Sequence, residues 1–114
     1  MYYICTMRTM IRSTEFDKFY SSLPKNVQSK VLYAMNVLAE IKVVNTKLVK
    51  KLVDTDFYEL RISVGNEYRV ILFTIDHENL IVAEQVLLLN GFNKKSTKDY
   101  KKEIEKAQHI LNNL

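Results

Sequence analysis

Residues 57–102, FYELRISVGNEYRVILFTIDHENLIVAEQVLLLNGFNKKSTKDYKK, decide how the rest of the chain can fold. Tyr58, Leu60, Ile62 and Val64 alternate with Phe57, Glu59, Arg61 and Ser63. That period of two marks a half-buried strand. A second apolar run over residues 68–75 carries Arg69 near its start, and Gly65-Asn66 between the runs are turn formers. A two-residue loop of Gly65 and Asn66 would pair Val64 with Glu67 and send Arg61 and Arg69 to opposite faces. A three-residue loop, 65–67, pairs Val64 with Tyr68 and Ser63 with Arg69. It stacks Tyr58, Leu60, Ile62 and Val64 against Tyr68, Val70 and Leu72, and needs one left-handed residue, which Gly or Asn supplies. Because this register gives a consistent core face, it is the expected one. Arg61 and Arg69 then share a face, and two guanidiniums on a rigid hairpin form a candidate anion site.

Downstream, Asp76-His77-Glu78-Asn79 reads as a turn. Residues 80–89, apolar except for Glu84 and Gln85, read as a central strand that Gly91 ends. Ser96-Thr97-Lys98-Asp99 has capping-box form and opens a helix with Tyr100, Ile104, Ala107, Leu111 and Leu114 on one side. Upstream, residues 2–7 suit a first strand. Thr14-Glu15-Phe16-Asp17 is a second box, followed by Phe16, Phe19, Tyr20 and Leu23 at helical spacing. Pro24 suits the first turn of another helix, in which Val27, Val31, Ala34, Met35, Leu38 and Ile41 form a stripe. These two helices read as an αα-hairpin. Residues 42–54 are a connector rich in lysine (Lys42, Lys47, Lys50, Lys51), either a phosphate-contacting patch or a solvated loop face. The order β, α, α, β, β, β, α gives an α+β domain: an N-terminal helical hairpin packed on a small, mostly antiparallel sheet, with a C-terminal helix.

Composition narrows the functional classes. The 114 residues suit a single domain, 1–114, and an apolar fraction of 47% suits a folded chain. Lys plus Arg number 17 against 13 Asp plus Glu, and the net charge of +4 biases the surface mildly toward polyanions. Cys5 is the sole cysteine, so neither an internal disulfide nor a cysteine zinc site is possible. His77 and His109 lack ligand-spaced partners, so no metal is expected. With only two glycines, Gly65 and Gly91, there is no glycine-rich phosphate loop and no expected cofactor. No run suits a signal peptide or membrane span, so the cytoplasm is the expected compartment. What remains is a set of cations, tyrosines and a phenylalanine around one sheet edge, a composition suited to backbone phosphates and stacked bases.

Several segments together carry a family resemblance: Phe57-Tyr58-Glu59-Leu60-Arg61, Tyr68-Arg69-Val70, Leu87-Leu88-Leu89-Asn90-Gly91-Phe92-Asn93-Lys94-Lys95 and Lys101-Lys102-Glu103-Ile104-Glu105-Lys106-Ala107. Ser22-Leu23-Pro24 and Leu48-Val49-Lys50-Lys51-Leu52 fit as well. In order and spacing the chain resembles the RelE superfamily of type II toxin–antitoxin toxins, and more specifically its HigB-like, phage Gp49-like branch. Two positions depart from that branch. Asn90 stands where His is common, and Lys98-Asp99-Tyr100 replaces a usual Lys-Thr-Pro.

The resemblance implies a RelE-like fold and a ribosome-dependent mRNA endoribonuclease that inhibits translation. The substrate 2′-hydroxyl would attack the adjacent phosphate to leave a 2′,3′-cyclic phosphate. Such chemistry asks for positive charge on the phosphorane, a base for the 2′-hydroxyl and an acid for the leaving oxygen. Arg61, Arg69, Lys94 and Lys95 fit the catalytic positions. Tyr58, Phe92, Lys98, Tyr100, Lys47, Lys50 and Lys51 fit RNA contacts, with core packing the alternative for Phe92. The implied partners are a cognate helix-turn-helix antitoxin, the ribosome and mRNA, with operator DNA reached only through the antitoxin complex. A ParE-like gyrase poison or a catalytically weak antitoxin-binding relative are the alternatives on the same fold.

Overall fold

At the tip of the central hairpin the chain reverses around Gly65, whose φ of +73° lies in the left-handed region that glycine enters freely. The computed structural model describes residues 8–41 and 44–114. Strands β3 (Phe57–Val64) and β4 (Asn66–Thr74) flank the turn. Their register pairs Val64 with Asn66, Ser63 with Glu67, Ile62 with Tyr68 and Arg61 with Arg69. This corrects the expected pairing of Val64 with Tyr68: Gly65 alone separates Val64 from Asn66, so the strands meet two residues earlier. A shift of two preserves the faces. Arg61 and Arg69 therefore do share one, as directly opposed neighbours.

Among the described residues, five strands form the sheet in the order β1-β5-β4-β3-β2. The short edge strand β2 (Val49–Lys51), which the sequence reading left inside a connector, pairs antiparallel with β3. β5 (Gln85–Lys94) pairs antiparallel with β4 and parallel with β1 (Thr9–Arg12). The first strand expected over residues 2–7 lies outside the described residues. β5 starts later than expected, because Asp76 accepts the backbone N–H groups of Glu84 and Gln85 and holds residues 80–83 in a turn. Gly91, expected to end the strand, lies within it.

The helical hairpin, α1 (Thr14–Ser21) and α2 (Lys25–Glu40), covers one face. Phe16, Val31 and Leu38 pack there against Leu60, Val70, Leu72 and Leu88, all fully buried. The N-cap of α1 is Ser13, not the expected Thr14: its hydroxyl accepts the Phe16 N–H at 3.0 Å. The same hydroxyl donates to the carbonyl of Leu89.

That carbonyl belongs to a β-bulge. Asn90 opposes Ile71 and Leu88 opposes Leu72, which leaves Leu89 as the extra residue. The bulge changes the phase of β5. Leu87 and Leu89 point to the second face before it, and Asn90, Phe92 and Lys94 point to that same face after it. The C-terminal helix α3 (Lys98–Asn112) covers this face through Tyr100, Ile104, Ala107 and Leu111, packing mainly on β5; Leu114, expected on the same side, lies past the end of the helix and is exposed. Toward β3 and β2 the cover thins: Phe57, Glu59 and Leu52 are still buried, while Arg61 is half-buried and Lys50 exposed.

Candidate nucleic-acid interface

The registers place a grid of side chains on the α3 face. Lys50, Glu59, Ile71 and Asn90 form one row across the sheet; Arg61, Arg69 and Phe92 form the next; Ser63, Glu67 and Lys94 form the row nearest the turn. Where α3 stops short, a concavity of about 340 Å³ opens, lined by Lys50, Leu52, Glu59, Arg61, Lys94 and Tyr100 among others.

Arg69 lies at the back of this site and is only 2% exposed. Its Nε meets Glu59 Oε1 at 3.0 Å and donates to the Tyr100 hydroxyl at 3.2 Å, and Nη1 donates to the Tyr68 carbonyl at 2.9 Å. Its Nη2 donates to Glu67 Oε1 at 3.2 Å. Tyr100 in turn donates to Glu59 Oε1 at 2.5 Å. Burial by itself would lower the Arg69 pKa, but the hydrogen bond to Tyr100 and the carboxylates of Glu67 and Glu59 outweigh it and raise it. Tyr100 is pushed up by burial and by its bond to Glu59, so its phenol keeps its proton at neutral pH. The Glu67 carboxyl is held below the usual carboxylate range by Ser63, with Arg69 and Arg61 contributing.

Arg61 is half-buried and, among the described residues, has no carboxylate within salt-bridge distance. It and Lys50 are the cations on the open half of the face. Lys94 lies with its Nζ 5.6 Å from the centre of the Tyr100 ring, a cation–π arrangement. Lys95 and Lys98 are exposed at the start of α3, where Asp99 accepts the backbone N–H groups of Lys95 and Ser96. This is the acidic half of the expected capping box.

Other candidates lie elsewhere. Tyr58 points to the helical-hairpin face, where its hydroxyl donates to the Glu78 carbonyl and accepts the Leu80 N–H. Lys51 is the exception: it borders the concavity, although it pairs with Tyr58 in the sheet and its Nζ lies 5.1 Å from that ring. Lys47 lines a separate groove beside α2. Phe92 is buried edge-on against Tyr100, with its ring in the α3 core. Sequence reasoning missed Glu59 and Glu67. The signal was there, because both share the parity of Arg61 and Arg69 on their strands.

This architecture is that of solved toxins. A mutant of the E. coli toxin RelE in the free state aligns with a TM-score of 0.64 at 13% identity, over 88% of this chain and 97% of that one. RelBE2, a toxin–antitoxin complex from Mycobacterium tuberculosis, gives 0.56 at 16% identity over 77% and 99%. The RelB–RelE antitoxin–toxin complex from Methanococcus jannaschii gives 0.54 at 21% over 79% and 96%. The fold is thus that of the RelE toxins. Residues 18–112 match the family described as Phage derived protein Gp49-like (DUF891), and the chain belongs to that family. A search of curated protein sequences finds no match.

Proposed function

We propose that this chain is the toxin of a type II toxin–antitoxin pair, a cytoplasmic ribosome-dependent endoribonuclease that cleaves mRNA. The observation that carries this reading is the concavity beside α3. There Arg61, Lys50 and Lys94 surround a hydrogen-bonded Glu59–Tyr100 pair. Cations at the rim attract an RNA backbone. Arg61, on a rigid strand, is preorganised toward charge developing on the phosphorane.

The concavity offers one proton-transfer pair. Glu59 accepts the proton of the attacking 2′-hydroxyl, and Tyr100, its phenol protonated, donates to the leaving 5′-oxygen. The proton on Glu59 then restores Tyr100 along their shared hydrogen bond, so the protons balance. Arg69 holds both groups in place. Lys94, Lys95 and Lys98 carry flanking phosphates. The side-chain nitrogen of Asn90 donates to the carbonyl and the carboxylate of Glu103 on α3 and takes no part in proton transfer. Without a histidine the reaction leans on positioning and electrostatics. The partner that silences it is a helix-turn-helix antitoxin.

Inducing the chain without an antitoxin tests this. The expected result is arrested translation with new mRNA 5′-hydroxyl ends at ribosome-occupied codons. Growth arrest with intact mRNA and accumulated gyrase–DNA breaks would replace it with the gyrase-poison reading.

A further inference from the structure

Arg69 has an inward and an outward side. Inward, Glu59, Tyr100 and the Tyr68 carbonyl take Nε and Nη1, all three held by the sheet or by α3. Outward, Nη2 donates to the carboxylate of Glu67 at 3.2 Å. Side-chain exposure is 3% for Arg69 but 50% for Glu67, which stands second in β4, beside the turn. The cross-strand neighbours of Arg69 are Arg61 and Phe92, and those of Glu67 are Ser63 and Lys94. Lys94 lies over the Tyr100 ring and forms no salt bridge with Glu67 among the described residues. Glu67 is therefore a half-exposed anion flanked by Arg61, Arg69 and Lys94, and it covers the Nη2 donor of the buried Arg69.

We propose that Glu67 is an internal stand-in for a phosphate: its carboxylate occupies the outward donor of Arg69, and a phosphodiester displaces it to engage Arg69 and Arg61 together. The proposal rests on reading the concavity as a phosphate site and adds the residue that sets its affinity. Displacement is feasible because an ion pair with a half-exposed carboxylate is weak, and a side chain at a hairpin tip has solvent to swing into. A phosphate oxygen gains more than Glu67 does, since it recruits the unpaired Arg61 as well. Glu67 is ionised at neutral pH, because Ser63, Arg69 and Arg61 hold its carboxyl low. The free protein therefore presents a partly neutralised site.

The test titrates the full chain with inorganic phosphate at low ionic strength and follows the backbone amide shifts of Arg61 and Arg69. The parent is compared with Glu67→Gln, Arg61→Ala and the double variant. Glu67→Gln is expected to bind phosphate roughly three- to tenfold more tightly, the effect of removing one charge at a rim site. That gain should vanish in the Arg61→Ala background. Unchanged or weaker phosphate binding by a folded Glu67→Gln overturns the proposal. Should that variant not fold, Glu67→Asp, whose shorter side chain retracts from Nη2, is expected to give a smaller gain of the same sign. No gain there overturns it equally. A second titration uses a short fluorescein-labelled 2′-O-methyl RNA, which lacks the attacking hydroxyl. A phosphate gain with no RNA binding by any variant keeps the stand-in role and removes the RNA reading. RNA binding with no gain from Glu67→Gln keeps the RNA reading and removes the stand-in role.

Discussion

Arg61 and Arg69 are directly opposed on adjacent strands, a placement in which like charges repel. Their surroundings separate their roles. Arg69 is enclosed by Glu59, Tyr100 and Glu67, whereas Arg61 faces the concavity. Removing Arg69 leaves the carboxylate of Glu59, itself buried, without its counter-charge. Arg69→Ala should therefore lower the unfolding free energy by about 3 kcal/mol, the cost of breaking a buried ion pair from one side. Urea denaturation would read this, and adding Glu59→Gln should recover part of the loss. Arg61→Ala should change stability by no more than about 0.5 kcal/mol. Its effect belongs in the single-turnover cleavage rate on programmed ribosomes, a loss of roughly 2–4 kcal/mol in transition-state stabilisation. Equal destabilisation by the two substitutions would refute this division.

Among the elements, β5 shows where a sequence pattern stops short. Its alternation breaks at Leu89, and the bulge there shifts Phe92 and Lys94 onto the face of Arg69. Ser13 stabilises the bulge by donating to the Leu89 carbonyl, a contact across the sheet that no local spacing foretells. Gly91 reads locally as a strand terminator, yet it lies mid-strand, where the Phe19 ring of α1 packs on it and leaves no room for a side chain. A Cβ built there would fall 2.3 Å from Phe19 ring carbons. Gly91→Ala should thus destabilise by about 1–3 kcal/mol through overpacking, measured by denaturant unfolding. In a Phe19→Ala background the same change should cost much less. A full penalty in that background would place the strain elsewhere. The helical hairpin, by contrast, was legible: Val27, Val31, Ala34, Met35 and Leu38 are buried on α2, because their period depends only on the helix, while Ile41, the last of the expected stripe, falls past the end of α2 and is exposed. The shared face of Arg61 and Arg69 was legible too, since parity survives a two-residue slip. The pairing itself was not, because it depended on how tightly Gly65 turns. Nor was the edge strand β2 legible, because three residues carry too little periodicity.

Over the whole molecule, a net charge of +4 is too small to mark a binding surface by itself, so the arrangement of the cations decides. Lys47 and Lys50 are three residues apart in the same lysine-rich stretch, but the fold separates them. Lys50 pairs with Glu59 across the sheet and lines the concavity, while Lys47 lies in the groove beside α2. A polyanion following the open half of the α3 face meets Lys50, Arg61 and Lys94 and passes Lys47 by. Each phosphate contact contributes somewhat under one unit to the slope of log affinity against log salt, about 0.7 for a single strand. Lys50→Ala should therefore weaken ribosome or RNA association and reduce the salt slope by about that amount. At saturating ribosomes its cleavage rate should stay near the parent's, because a side chain on a short edge strand attracts the backbone without being fixed on the reacting phosphate. Lys47→Ala should alter neither quantity, and Arg61→Ala should lower the saturated rate. The measurement is a cleavage time course over a range of ribosome and salt concentrations for these three variants and the parent. A salt slope reduced by Lys47→Ala as much as by Lys50→Ala would mean that the RNA runs over the α2 groove. Saturated rates equal across all four proteins would mean that Arg61 contributes to association alone.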